Sequence, residues 1–134
     1  MKTVGIADAG LVVAYLSPRD QHHGWAVAQF ERYPSFLTCE AVLAEASHLA
    51  GSPGPVAEML SLGVLEVGYS LRGDEARVAD LLRTYADVPM DLADACLVRM
   101  TEQRPDCRVL TADGDFYVYR RFGTEAIPVV SPLT

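Results

Sequence analysis

Short apolar runs that stop at an acid or a turn alternate along this chain with stretches whose apolar residues recur every three or four positions. Val4 to Ala7 is a β-rich run ending at Asp8, and Leu11, Val12, Ala14, Tyr15 and Leu16 follow at once. That pattern predicts a buried strand turning directly into a helix. A polar break over Ser17, Pro18, Arg19 and Asp20 precedes a second helix, with Trp25, Ala28 and Phe30 as its apolar contacts and Pro34 as its stop. Phe36 to Thr38 reads as a second strand, and Thr38 as the cap of a helix whose Val42, Leu43, Ala46 and Leu49 share one face. A Gly- and Pro-rich turn from Gly51 to Pro55 leads into a helix that buries Val56, Met59 and Leu60, and Gly63 ends it before a third strand, Val64 to Val67. Ser70 is the candidate cap for a segment from Asp74 to Tyr85, where Ala76, Ala79, Leu81 and Leu82 have helical spacing. Beyond Pro89 the helical period resumes at Leu92, Ala95, Val98 and Met100. Arg108 to Thr111 and Ile127 to Val130 are the last two strands, and Pro128 assigns the final one to a sheet edge. Strands alternating with helices imply an α/β sandwich around a mostly parallel sheet.

Length adds that 134 residues form one ordinary globular domain, so we expect a single domain over residues 1–134. The 18 Asp and Glu against 11 Lys and Arg give a net charge of −7, which argues against holding nucleic acid by bulk electrostatics alone. Lys2 is the only lysine, which excludes a Walker-type phosphate lysine and a Schiff-base lysine in the body of the domain. Cys39, Cys96 and Cys107 are widely spaced and lie mostly among apolar neighbours, so they read as small buried thiols rather than a disulfide framework or a zinc pair. No apolar run is long enough for a membrane span and the N-terminus lacks a signal-peptide layout, so the expected location is the cytoplasm.

The acids are placed where a parallel sheet puts its chemistry. In open α/β sheets, ligands bind outside the carboxyl ends of the strands. Asp8 ends the first strand and Asp113 lies two residues past Thr111 at the end of the fourth. Glu45 and Asp94 sit inside otherwise apolar helical stretches, Val42-Leu43-Ala44-Glu45-Ala46 and Leu92-Ala93-Asp94-Ala95-Cys96-Leu97. An unpaired buried carboxylate is costly, and clustered carboxylates repel one another. Ordinary ion pairing with arginine explains any one of them; four on one edge are better explained by a bound hard cation, Mg²⁺ or Mn²⁺, which prefers oxygen ligands. Setting these four aside moves the formal net charge from −7 to −3.

Four segments, Ile6-Ala7-Asp8-Ala9-Gly10-Leu11, Thr38-Cys39-Glu40-Ala41-Val42-Leu43-Ala44-Glu45, Pro89-Met90-Asp91-Leu92-Ala93-Asp94-Ala95 and Leu110-Thr111-Ala112-Asp113-Gly114-Asp115-Phe116, resemble the acidic motifs of the PIN domain family, in family order and spacing over nearly the whole chain. The small size is similar to that of the VapC toxins of type II toxin–antitoxin pairs. The resemblance implies a three-layer sandwich with a central five-stranded parallel sheet and a Mg²⁺- or Mn²⁺-dependent endoribonuclease site. It places the metal-binding acids on Asp8, Glu45, Asp94 and Asp113, with Asp91, Asp115 and Thr111 as a second tier. By the same analogy, hydrolysis leaves a 5′-phosphate and a 3′-hydroxyl, the chain pairs as a homodimer, and a small VapB-like antitoxin lays a basic segment over the acids. The chain departs from many members at Ala9-Gly10, where it lacks a Ser or Thr after the first Asp.

Several of these residues carry a second reading. Asp91 follows Pro89 closely enough to be an acid at a helix N-terminus, and Asp115 can begin a short helix at Phe116. Thr111 either orients a water or carboxylate or simply caps the turn. Arg120 and Arg121, just beyond the acidic loop, are the first candidates for RNA phosphate contacts, with Arg19 next; the plain alternative is a solvated surface arginine. Tyr117 and Tyr119 either stack on bases or pack at the core and rim. Glu45-Ala46-Ser47-His48 has the Glu-x-x-His spacing of di-iron bundles, but in one copy where two are needed, and His22 and His23 are assigned no chemistry. The rival function is a PIN-like protein- or RNA-binding module that has lost catalysis, and a third is a phosphatase or DNA nuclease on a similar sheet.

Overall fold

Apolar runs too short for helices, Val4–Ala7 (β1), Phe36–Thr38 (β2), Leu65–Val67 (β3), Cys107–Leu110 (β4) and Val129–Val130 (β7), form one sheet in the order β3-β2-β1-β4-β7. The computed structural model describes residues 3–133. Every pairing in this sheet is parallel, with Ile6 opposite Leu37, Phe36 opposite Leu65, Ala7 opposite Leu110 and Val109 opposite Val129. Six α-helices flank it among the described residues: α1 Ala9–Leu16, α2 His23–Arg32, α3 Glu40–Leu49, α4 Gly54–Ser61, α5 Glu75–Thr84 and α6 Leu92–Gln103. β7 is an edge strand, and Pro128 costs the ladder nothing because only its carbonyl is used, accepting from the Val109 amide at 2.9 Å.

The chain leaves β1 toward β2 and β3 and returns on the other side with β4 and β7, so the order reverses between β1 and β4. A crevice opens at such a reversal, outside the carboxyl ends of the two strands. Asp8 follows β1 there, and Thr111 to Asp113 follow β4. Close packing holds β1 in place. A Cβ on Gly5 would lie 2.8 Å from the Phe36 ring and 2.9 Å from that of Tyr33, so no side chain fits at this position. α6 is the most enclosed helix; its residues from Ala93 to Val98 are buried in succession, Asp94 among them. A helix apolar nearly all round belongs inside a domain, and α6 packs against α3, α5 and β4.

Local details depart from the sequence pattern. Thr38 does not cap α3; its hydroxyl donates to the Ala7 carbonyl across the sheet at 2.9 Å, and Cys39 holds the cap position. Ser70 caps nothing either, because α5 begins five residues later behind Asp74. Leu49 and Ala76 face solvent rather than the core, while Gln29 is buried on α2 in place of the larger apolar neighbours. The strands beginning at Val64, Arg108 and Ile127 pair over Leu65–Val67, Cys107–Leu110 and Val129–Val130. A small antiparallel hairpin, Arg120–Arg121 (β5) with Glu125–Ala126 (β6), lies outside the expected elements.

Candidate active site

Asp8 stands in the crevice because it is both the residue after β1 and the cap of α1. Its Oδ1 accepts from the Ala9 amide at 2.7 Å, and its Oδ2 accepts from the Thr111 hydroxyl at 2.6 Å. Thr111 is fully buried, and its hydroxyl oxygen accepts from the Asp113 amide at 2.9 Å, so one side chain ties the end of β1 to the loop after β4. Asp113 in turn caps the 3₁₀ turn Gly114–Tyr117 through the Asp115 amide at 2.9 Å. Gly10 allows this closeness, since a Cβ there would stand 3.3 Å from that of Ala112.

A second pair of acids stands at the start of α6. Asp91 caps the helix by accepting from the Asp94 amide at 2.8 Å, so both readings of Asp91, helix cap and member of the acidic rim, apply to the same side chain. Asp94 is 7% exposed and accepts from the Tyr119 hydroxyl at 2.9 Å. Glu45 projects from α3, half-buried, with its carboxyl under the influence of Asp8, Asp91 and Asp113. Asp115 donates its amide to Asp113 within the same loop.

Electrostatics shows that these acids share one space. Burial, opposed by the Tyr119 hydrogen bond and reinforced by the charges of Asp91, Asp8 and Asp113, pushes the Asp94 carboxyl up to about 7. Asp8 is also raised, first by burial, against the bonds from Thr111 and Ala9, with Asp113 and Asp91 adding repulsion. Glu45 is raised by burial and then by Asp8, Asp91 and Asp113. None of the five forms an ion pair; the ion pairs among the described residues use Asp74, Asp80, Glu102 and Glu125. The donor set is therefore all oxygen, short of positive charge and suited to a hard divalent cation. The side chains are near enough to repel, yet among the described residues no three His, Cys, Asp or Glu are drawn together into a ligand shell. An ion held here would keep several waters, as Mg²⁺ does.

The three candidate arginines form no ion pair with the five acids. Arg121 is buried, its guanidinium donating to the carbonyls of Thr101 and Pro105 through Nη1 and pairing with Glu125 through Nε, so these bonds make it an internal strut. Arg19 lies beyond the far end of α1 from Asp8, beside an apolar groove with Leu16, Pro18, Leu49 and Pro55. Arg120 stays beside the acidic loop; one of its nitrogens donates to the Tyr117, Val118 and Tyr119 carbonyls, and the side chain is only part-buried. Tyr119 is a core residue whose hydroxyl serves Asp94, a role no local spacing announces because the two lie 25 residues apart. Tyr117 is half exposed at the rim.

This arrangement of strands and helices is shared with a solved structure. The crystal structure of Mycobacterium tuberculosis VapC20, a sarcin–ricin loop cleaving toxin, matches this chain with a TM-score of 0.76 over 92% of this chain and 99% of that one, at 18% sequence identity. The fold is PIN-like. No protein-family model and no curated protein matches the sequence. The PIN-like fold accounts for the five-stranded parallel sheet and its flanking helices. No helix among the described residues is long and apolar enough to cross a membrane.

Proposed function

We propose that this chain is a VapC-like, Mg²⁺- or Mn²⁺-dependent endoribonuclease that hydrolyses RNA phosphodiester bonds. The observation that carries the reading is the unneutralised cluster of Asp8, Glu45, Asp91, Asp94 and Asp113 at the reversal point of a PIN-like sheet. Buried carboxylates without a basic partner are unfavourable unless a cation completes them. Asp8, Asp94 and Asp113 would hold the ion directly or through waters, and Glu45 would hold a second ion or orient the attacking water. When bound, the ion supplies a water of lowered pKa and positive charge opposite the scissile phosphate. Thr111 fixes the Asp8 carboxylate, and Tyr119 fixes that of Asp94. Arg120, part-buried beside the acidic loop, would be the first phosphate contact in this reading.

The same reading extends to partners: RNA as substrate, a VapB-like antitoxin whose basic segment complements the acids, and a homodimer. The test is cleavage of a mixed RNA pool by the wild type and by Asp94→Asn, with Mn²⁺, Mg²⁺ and EDTA in parallel. Metal-dependent cutting by the wild type alone supports the assignment. Undiminished cutting by a folded Asp94→Asn variant, or cutting in EDTA, refutes it.

A further inference from the structure

A cavity of about 310 Å³ opens beside the acids on the same edge of the sheet, lined by Cys39, Glu40, Ala41, Tyr69, Leu71, Leu92 and Cys96. Its position follows from the topology. Cys39 comes directly after β2 and Tyr69 two residues after β3, so the cavity sits over the carboxyl ends of those strands as the acids sit over those of β1 and β4. The two share helices as well. Leu92 is the neighbour of Asp91, Cys96 lies two residues beyond Asp94, and Ala41 is one turn before Glu45 on α3. A molecule with a phosphate at the acids therefore has this partly open, mainly apolar cavity beside it.

The lining has an unusual division of polar labour. Tyr69 is 7% exposed, and its hydroxyl already donates to Asp74 at 2.5 Å. The thiols of Cys39 and Cys96 face each other and are both buried. Leu71, Leu92 and Ala41 are apolar. Glu40 is the remaining polar side chain, exposed at the first position of α3 and in no ion pair among the described residues. The cavity is thus an apolar slot, of the smallest size typical of ligand pockets, with one free carboxylate.

We propose that this cavity receives a guanine base from the nucleotide beside the scissile phosphate, with Glu40 reading its Watson–Crick edge. The proposal rests on the ribonuclease reading for the position of the phosphate. Proteins that select single-stranded RNA splay out a base, pack its faces against apolar and aromatic side chains and bond its Watson–Crick edge. A carboxylate only accepts, and its two oxygens match two parallel donors. Guanine presents such a pair in N1–H and the N2 amino group. Cytosine and adenine offer one amino group beside an acceptor nitrogen, and uracil one N–H between two carbonyls, so each sets an acceptor against a Glu40 oxygen.

The experiment has two arms, each run on the wild type, on Glu40→Gln and on Glu31→Gln, an exposed acid of α2, as control. In the first, the nucleosides guanosine, cytidine and uridine are titrated calorimetrically in EDTA; lacking a phosphate they need no metal ion at the acids, and no catalysis contributes. Guanosine is expected to bind the wild type at least about tenfold more tightly than uridine, a ratio that Glu40→Gln abolishes and Glu31→Gln keeps. In the second, the ends produced from a random RNA pool with Mn²⁺ are sequenced, and guanine is expected to be enriched at one position next to the cut in the wild type but not in Glu40→Gln. Guanine-selective binding with no cutting upholds the cavity and refutes the ribonuclease reading. Cutting with no base enrichment, together with equal or absent binding of the three nucleosides, overturns the cavity proposal and leaves the ribonuclease reading standing. Neither cutting nor selective binding overturns both.

Discussion

Asp74 is part-buried and Asp94 buried, and each accepts a hydrogen bond from a buried tyrosine, Tyr69 in one case and Tyr119 in the other. Their charges nevertheless respond in opposite directions. Arg99 grips both oxygens of Asp74 at 2.8 and 2.9 Å and also reaches Glu102 at 2.7 Å, and this holds the Asp74 carboxyl below the usual carboxylate range. Asp94 has no arginine, only further acids, and stands near 7. The two sites share the tyrosine; Asp94 is the more deeply buried, and only Asp74 has a cation. A fold that needs a buried carboxylate for packing supplies its counter-charge from within, as α6 does with Arg99. A cluster left without one has its counter-charge still to come from outside, which marks it as the place for a metal ion.

The largest effect is expected from breaking the neutralised site. Arg99→Ala strands Asp74 and Glu102 in a poorly solvated position and should lower unfolding free energy by about 3–5 kcal/mol in urea; a loss below about 1 kcal/mol would mean that the cluster is a solvated surface network. The pH dependence separates the two sites next. Asp74, whose carboxyl is depressed, contributes stability that is present above about pH 4 and lost as pH falls through its folded value. Asp94, raised to about 7, works in reverse: its contribution is complete below about pH 4 and is lost as pH rises toward 7. Without metal, stability should therefore decline from pH 4 to 7 with a slope approaching about 1.4 kcal/mol per pH unit for this one group, and Asp94→Asn should flatten it. An unchanged slope would show that Asp94 titrates normally.

Smaller changes sharpen the contrast. Thr111→Val removes the donor to Asp8 and the acceptor for the Asp113 amide, and should cost about 1–3 kcal/mol while raising the Asp8 carboxyl further. A neutral outcome in thermal unfolding would show that a water replaces the hydroxyl. Tyr119→Phe should cost about 1 kcal/mol and move the Asp94 transition to higher pH, because the bond it loses favours the ionised form; carbon-detected titration of the carboxyl reads this directly.

Much of this was legible along the chain. Runs such as Val4 to Ala7 are too short and too apolar for anything but interior strands, and an acid at the end of each of two such strands falls on one sheet edge whatever the loops do. Pro128 marked the edge strand for a local reason, its missing amide. What could not be read depends on partners far apart in sequence. The Arg99 bond to Asp74 spans 25 residues, as does that of Tyr119 to Asp94, and Thr38 spends its hydroxyl on Ala7, 31 residues away, instead of on its own helix. The fate of Arg121 was hidden in the same way, since only the folded chain brings Thr101, Pro105 and Glu125 around its guanidinium. Local pattern reports burial and acid placement; it does not report which buried acid the fold neutralises.

That distinction can be measured in one experiment. Thermal unfolding of the wild type, Asp94→Asn and Asp74→Asn is followed at pH 7 with and without Mn²⁺. If the acids at the reversal of the sheet are the cation site, Mn²⁺ at a hundred times its dissociation constant should stabilise the wild type by about 2.7 kcal/mol. Asp74→Asn, though less stable at the start, should gain as much, and Asp94→Asn should gain little. Equal gains for the wild type and Asp94→Asn, or no gain in any of the three, would contradict the account.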